Sequence, residues 1–314
     1  MDTIQALLER AVLAPSSHNT QPWLFRAGTG RVDLFADRTR ALPVNDPDDR
    51  ELLVSCGAAL FTLRVAAAAA GLGAHVETLP GAADPDWLAR VQLAPGGPDA
   101  SLAVLSPAIE RRRTWRKAFA DRAVAPGVSD ALQAAAAAEG ATLAVLAEAE
   151  RRHALADLVA RGDRLQWETP SWRRELAMWM HPRRERDGLV VPGAAAAVTR
   201  TVVRSFDMGD GVAAKDRQLA EGSPLLGVLG TPGDAPADWL AAGQALQRVL
   251  LTGLGDGLQA SYLNQPVEVQ ELRGRVQALV PEAGVPQLVL RFGHAEGDLP
   301  GVPRRKLQDV LVRD

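Results

Sequence analysis

A chain of 314 residues with 47% hydrophobic and 23% charged residues has the composition of a folded protein of two lobes or one large domain, which excludes extended disorder. Its formal net charge of -3 offers no long-range attraction for nucleic acid or an anionic membrane, and its single cysteine, Cys56, excludes an internal disulfide and a cysteine-based zinc cluster and fits a reducing compartment. The opening MDTIQALLERAVLA lacks the basic and long apolar regions of a signal peptide, and the alanine-rich tracts are too short and weakly apolar to span a bilayer. A cytoplasmic, soluble protein is expected.

Residues 2–14 carry Ile4, Leu7, Leu8 and Val12 at helical spacing. The run LAPSSHNTQPW, residues 13–23, packs short hydrogen-bonding side chains between that helix and a strand, with Gln21, Pro22 and Trp23 expected to anchor the loop to the strand. Residues 24–26 and 32–35 flank AGTG and read as a hairpin. NDPDDREL opens a long helix, with Asp46 as a cap and Pro47 at the first helical position, and the helix stops at Gly71. Strands are expected at 74–79, at 89–93 and around Ala103, with PGGPDA as the turn between the last two.

A second set begins near Ser106. SPAIERRRTWRKAF starts as a helix, 128–138 is another, 141–146 is a strand, 226–229 a further strand and 236–257 a second long helix. PQLVLRFG, residues 286–293, is a near-continuous apolar run of the kind found in a strand buried on both faces. The two long helices align without a gap: Gly57 with Gly243, Ala59 with Ala245, Leu60 with Leu246, Gly71 with Gly257 and Leu72 with Leu258. Because the order of the surrounding elements repeats as well, duplication is favoured over chance matching of two Ala/Leu-rich helices. Each half keeps a feature that the other lacks. APSSHNTQPW belongs to the first and RRRTWR to the second, so a site using both occurs once per chain.

Arg111, Arg112, Arg113, Arg116 and Lys117 surround Thr114, and Arg304, Arg305 and Lys306 form a second basic cluster. Charge alone reads the first cluster as a solvated helix face. Guanidinium forks also bind phosphate, and with the Ser/Asn/Gln loop the two clusters suit a phosphorylated ligand with a planar, amide-like ring. The five histidines, among them His18 and His181, show no metal-ligand spacing, and no G-x-S-x-G or strand-following G-x-G-x-x-G is present. Residues 161–216, with Trp167, Trp172, Trp179, Met178 and Met180, depart from the two-fold pattern. They read equally as an amphipathic segment packed on the core or as a lid.

APSSHNTQPW, RRTWR and PQLVLRFGHA…PRRKLQDVL together resemble the nitroreductase-like flavin oxidoreductases, and the tandem arrangement resembles the Acg-type branch, in which one chain folds like a nitroreductase dimer. The resemblance implies an α+β, three-layer sandwich of two pseudo-repeated halves, 1–105 and 106–314, with mostly antiparallel sheets flanked by helices. It implies one FMN between the halves and NADH or NADPH as electron donor. It also implies a small-molecule acceptor, such as a quinone or nitroaromatic, and a chain able to act as a monomer. Cofactor contacts would come from Pro15, Ser16, Ser17 and Asn19, from Arg112, Arg113, Thr114 and Arg116, and from Arg304 or Arg305. Tyr262, Leu263, Asn264 and Gln265 would pass the ring, one of their backbone N–H groups reaching flavin N5; Tyr262 stands where the family more usually has proline. No protein nucleophile and no metal are implied. A lid over the flavin would instead make the chain a flavin-sequestering protein with little turnover.

Overall fold

The computed structural model describes residues 2–81, 83–180, 185–189, 195–297 and 301–312. His181 and parts of the 161–216 segment lie outside the described residues. In chain order, α1 (Asp2–Ala11) leads into β1 (Trp23–Gly28), β2 (Arg31–Ala36), α2 (Arg50–Ala69), β3 (Leu72–Thr78) and β4 (Trp87–Pro95). Two short helices follow, α3 (Ala100–Ala103) and α4 (Ser106–Ile109), then α5 (Val128–Ala137) and β5 (Thr142–Val145). Four helices stand before the next strand: α6 (Ala149–Glu168), α7 (Pro170–Trp179), α8 (Ala195–Ser205) and α9 (Gly209–Glu221). The chain then runs through β6 (Leu225–Thr231), α10 (Pro236–Gly255), β7 (Gln259–Tyr262), α11 (Gln265–Glu268), α12 (Gln270–Leu279) and β8 (Val285–Gly293).

Most elements expected from periodicity form, and the exceptions have local causes. The strand expected around Ala103 is the helix α3 instead, because Asp99 caps it by accepting the Ser101 N–H at 2.9 Å. Asp46 does cap α2, but from outside: its carboxylate accepts the Glu51 and Leu52 N–H groups at 3.0 and 2.9 Å, while Pro47 precedes the first helical residue. The two long helices stop at glycines in the left-handed region, Gly71 at φ +77° and Gly257 at φ +76°. The basic run leaves α4 and is not a helix face. Thr114 bridges Ala260, and the Trp115 N–H donates to the Ala260 carbonyl at 2.9 Å, so the run lies along β7.

The strands form two four-stranded antiparallel sheets, ordered β1-β2-β4-β3 and β5-β6-β8-β7. Both sheets carry a register shift in the same central pair, at Leu34/Phe35 against β4 and at Leu229/Gly230 against β8. β1 and β2 are joined by a tight turn, whereas β5 and β6 are separated by α6 to α9. Of these, α6 and α9 pack on the outer face of the second sheet through Leu155, Val159 and Ala220 against Leu226, Val228 and Val289. This covering explains why β6 and β8 read as continuous apolar runs. The chain end returns to the first sheet, where the Phe25 N–H donates to the Val310 carbonyl at 2.7 Å and the Val312 N–H to the Phe25 carbonyl at 2.8 Å.

Between the sheets, α2 packs on the first, α10 on the second, and the two helices pack on each other. Val54 of α2 belongs to the core of the second sheet and Leu240 of α10 to the core of the first, so each helix reaches across. They cross at Gly57 and Gly243. A Cβ on Gly57 would lie 3.0 Å from Gly243 Cα and well inside contact with the Leu240 carbonyl oxygen; one on Gly243 would lie 2.8 Å from Gly57 Cα and against the Val54 carbonyl oxygen. By length and composition α2 could cross a membrane, but 89% of its apolar window is buried within this core. Neither backbone can move away without opening both cores. Gly57→Ala or Gly243→Ala is therefore expected to lower the unfolding free energy by about 1–3 kcal/mol or more, measured by urea denaturation. A change smaller than about 0.5 kcal/mol in both variants would contradict the close crossing.

Candidate functional site

The loop between α1 and β1 is held in an uncommon conformation. His18, Asn19 and Gln21 have φ of +48°, +55° and +53°, a region that costs L-residues roughly 1–2 kcal/mol each. Short hydrogen bonds retain it: the Ser16 carbonyl accepts the Asn19 N–H at 3.0 Å, and the Ser16 hydroxyl accepts the Gln21 N–H at 2.9 Å. Gln21 is fully buried and fastens the loop outward. Its Oε1 accepts the Arg305 N–H at 2.8 Å, and its Nε2 donates to the Arg186 carbonyl at 2.9 Å. The anchoring expected of Gln21, Pro22 and Trp23 thus includes distant chain segments as well as the adjoining strand. Strain kept in place by several independent contacts is a property of functional loops as well as structural ones.

Beneath the loop lies Glu51, in the first turn of α2 and 2% exposed. The Ser17 hydroxyl donates to its Oε2 at 2.5 Å, and Asn264 Nδ2 donates to its Oε1 at 3.3 Å. Asn264 Oδ1 accepts the Val289 N–H at 3.0 Å, so this amide is oriented by the middle of β8. His18 stands within electrostatic reach of both Glu51 and Arg116. Burial pushes its imidazole down to about 4, with Glu51 opposing and Arg116 reinforcing the shift. The ring is accordingly neutral at physiological pH, and its Nδ1 is enclosed without a hydrogen-bond partner among the described residues.

Arg112, Arg116 and Arg304 gather near Tyr262, with Arg113 beside Arg112 and Arg304. Arg304 donates to Asn19 Oδ1 at 3.1 Å and to the Leu13 and Ala14 carbonyls, both at 3.2 Å, so the chain end reaches the loop. Arg112, 5% exposed, also donates to the Leu13 carbonyl, at 3.4 Å. Burial, with Arg112 and Arg113 alongside, pushes the Arg304 guanidinium down to about 9, and burial raises the Tyr262 phenol. Among the described residues none of these four arginines forms a salt bridge with a carboxylate. The Nε atoms of Arg112, Arg113 and Arg304 and the Tyr262 hydroxyl are buried without a hydrogen-bond partner among the described residues. Concentrated, partly desolvated positive charge of this kind is relieved by an anion.

Other residues singled out by sequence lie differently. Pro15 precedes the strained turn, and Thr114 sits in the bridge to Ala260. Leu263 is buried in the core beneath the second sheet, and its N–H donates to the Val289 carbonyl at 3.0 Å. Gln265 turns toward the inserted helices, donating to Asp163 Oδ1 at 3.1 Å and Asp216 Oδ2 at 2.9 Å. Arg305 donates to Asp37 Oδ2 at 3.1 Å and to the Gln21 carbonyl at 2.9 Å, so it braces the loop while Arg304 joins the cluster. Sequence reasoning missed Glu51, which reads there only as a helix-start acid, and Asn264's partner on it. Within the 161–216 segment, which sequence singled out without naming partners, Gly188 N–H donates to the Asn19 carbonyl at 3.2 Å, Asn19 Nδ2 donates back to the Gly188 carbonyl at 3.3 Å, and Asp187 pairs with Arg40.

No family model matches the chain. Its sequence is 35% identical over 318 residues to the Mycobacterium tuberculosis protein named "Putative NAD(P)H nitroreductase Rv3131", covering 99% of this chain and 91% of the relative. The chain belongs to the nitroreductase-like superfamily. Within it the Acg-type proteins match along the whole length: "Putative NAD(P)H nitroreductase acg" of Mycobacterium tuberculosis is 33% identical over 320 residues, covering 99% of this chain and 95% of that relative. Among solved structures, the FMN and NADPH-dependent nitroreductase NfnB of a "sphigopyxis" strain aligns over 67% of this chain and 98% of its own, at 21% identity and a TM-score of 0.45.

A pH effect follows from His18. Its folded pKa of about 4 lies below the unfolded value of about 6.5, so the unfolded chain takes up the proton first as the medium is acidified. The stability associated with the neutral ring is therefore complete above about pH 6.5 and is lost between there and about pH 4, by at most roughly 3 kcal/mol. Asn tolerates the left-handed backbone and does not titrate. The difference in unfolding free energy between the parent and His18→Asn should change across that window and stay flat above about pH 7. A difference independent of pH from 4 to 8 would show that the imidazole is not held neutral.

Proposed function

We propose that the chain is an FMN-dependent NAD(P)H oxidoreductase acting on a small quinone, nitroaromatic or similar acceptor. The observation that carries this reading is the group of Arg112, Arg113, Arg116 and Arg304 beside the Ser16–Ser17–His18–Asn19 turn, a group that forms no salt bridge with a carboxylate among the described residues. The names of the sequence relatives as NAD(P)H nitroreductases support it. The residues present fit FMN. Unpartnered Nε atoms on three of the arginines suit a phosphate, and Ser, Asn and neutral imidazole groups suit the edge of a ring with donors and acceptors. FMN, when bound, supplies two-electron transfer between the nicotinamide donor and the acceptor.

Arg112, Arg113, Arg116 and Arg304, with Thr114, would hold the phosphate and its ribityl tail. The Pro15, Ser16, Ser17 and Asn19 turn would face the ring from the first half, and Tyr262 and Asn264 from the second. Halves of 1–105 and 106–314 belong to the same reading, with one site per chain, a monomer as the functional unit and a cytoplasmic location. The equal strand orders and the paired register shifts of the two sheets support the division.

A second reading has its own support. The 185–189 stretch is tied to the loop through Asn19, Gln21 and Arg40, and contacts of this kind would keep a lid closed over the flavin. Such a protein would sequester FMN with little turnover. Fluorescence titration of FMN into the chain tests binding under both readings. Arg304→Ala should raise the FMN Kd by roughly tenfold or more, as expected for losing a charge-assisted contact; an unchanged Kd would remove Arg304 from the phosphate site. Anaerobic NADPH or NADH should bleach the bound flavin. If dithionite bleaches it and neither nucleotide does, the sequestering reading stands in place of the reductase.

A further inference from the structure

Ser17 is the start of a line of polar contacts that leaves the candidate flavin site through Glu51. Its hydroxyl donates to Glu51 at 2.5 Å, and Glu51 lies against α11, where Asn264 donates to it at 3.3 Å, Arg50 reaches both Glu51 and the Val267 carbonyl, and Glu268 is its acidic neighbour. Glu268 in turn accepts Gln166 Nε2 from the inserted helix α6 at 2.5 Å. Gln166 and Glu268, with Asn45, Trp172 and Glu271, line a surface cavity, so the line runs from that cavity to the strained loop. We propose that Glu268, Glu51 and Ser17 form a proton wire that delivers a proton from the cavity to an acceptor reduced beside the loop. The proposal rests on the reading of the site as a flavin site.

For Glu51 and Glu268 to pass a proton between them, one of the two must hold it, since two carboxylates have no hydrogen to share. Burial and the neighbouring Glu51 push Glu268 well above the ordinary carboxylate range, the direction that favours its protonated form. The groups facing the pair agree. Asp46, from the turn before α2, is raised to about 7 by burial and by Glu51. Arg50 is the cation nearest to both acids, yet it donates to the Gln287 carbonyl at 2.6 Å and reaches Glu51 Oε1 only at 3.5 Å. His18 and Tyr262 face Glu51 from the loop and from β7, and Glu271 borders the cavity. Acids outnumber cations around the wire, so retaining one proton costs less than ionising every carboxyl.

The chemistry balances with the partners already named. Reduction of a quinone to its hydroquinone takes a hydride, which comes from the nicotinamide donor by way of the flavin, and one proton, which forms the new O–H bond. The Ser17 hydroxyl gives its proton to the acceptor oxygen and takes one from Glu51. Glu51 takes the Glu268 proton, and Glu268 is refilled from cavity water. Glu268 would thus be a residue acting through others, at the entrance of the wire.

Infrared difference spectroscopy of the purified chain at pH 7 should display a protonated carboxyl band that is lost in Glu268→Gln. No such band in the parent chain overturns the proposal before any variant is made. Both proteins, loaded with FMN and reduced with dithionite, are then mixed anaerobically with benzoquinone across a pH series. Glu268→Gln should retain FMN yet reoxidise at least about tenfold more slowly, with a pH profile displaced from the parent's, and Glu268→Asp should recover part of the rate. Equal rates and profiles in Glu268→Gln and the parent overturn the wire while leaving the flavin reading intact. A parent chain that binds no FMN overturns that reading, and the wire with it.

Discussion

The close crossing of α2 and α10 at Gly57 and Gly243 is the contact on which the rest of the structure depends. Each glycine faces the backbone of the opposite helix, with Leu240 and Val54 presenting their carbonyls at matching positions. At that separation Val54 reaches the core of the second sheet and Leu240 the core of the first. The two cores are therefore one packing problem. A side chain at the crossing would push the helices apart and loosen both sheets at once.

The same crossing brings the two unlike ends of the chain's repeated pattern together. The first turn of α2 carries Glu51 to the loop after α1 on one side and to Asn264 after β7 on the other. The basic run between α4 and α5 lies along β7, and the C-terminal segment adds to β1, which carries Arg304 to the Leu13, Ala14 and Asn19 groups. Arginines and buried acids thus both accumulate around the loop. Each is buried enough for desolvation to dominate its protonation behaviour.

The helices between β5 and β6 occupy a connection that the first sheet closes with a tight turn. Of these, α6 and α9 cover the outer face of the second sheet. The helices also supply Gln166 and Asp163 to the β7–β8 side of the site, and lead into the 185–189 stretch that grips Asn19, Gln21 and Arg40. The tryptophans of this region serve packing: Trp167 and Trp172 meet edge to face, and the Trp172 indole N–H donates to Asn45 Oδ1 at 2.7 Å. Packing on the core, one of the two expectations for the segment, describes α6 and α9.

By itself the sequence determined the period and order of most elements, the pairing of Gly57 with Gly243 and of Gly71 with Gly257, and the unlike motifs of the two halves. These are local or repeat-level signals, written in apolar spacing, helix stops and glycine. Local pattern failed where one side-chain contact outweighed it, as when Asp99 capped a helix near Ala103 in place of a strand. Only the tertiary structure decided which polar groups meet. Arg304 and Arg305 are adjacent in sequence, yet one joins the arginine group and the other pairs with Asp37; Asn264 and Gln265 are likewise neighbours, yet they face Glu51 and the Asp163/Asp216 pair. Successive side chains leave the backbone in different directions, so what each can touch is set by distant elements packed around it. The role of Glu51 was invisible for the same reason, since Ser17 and Asn264 reach it only after the helices have crossed.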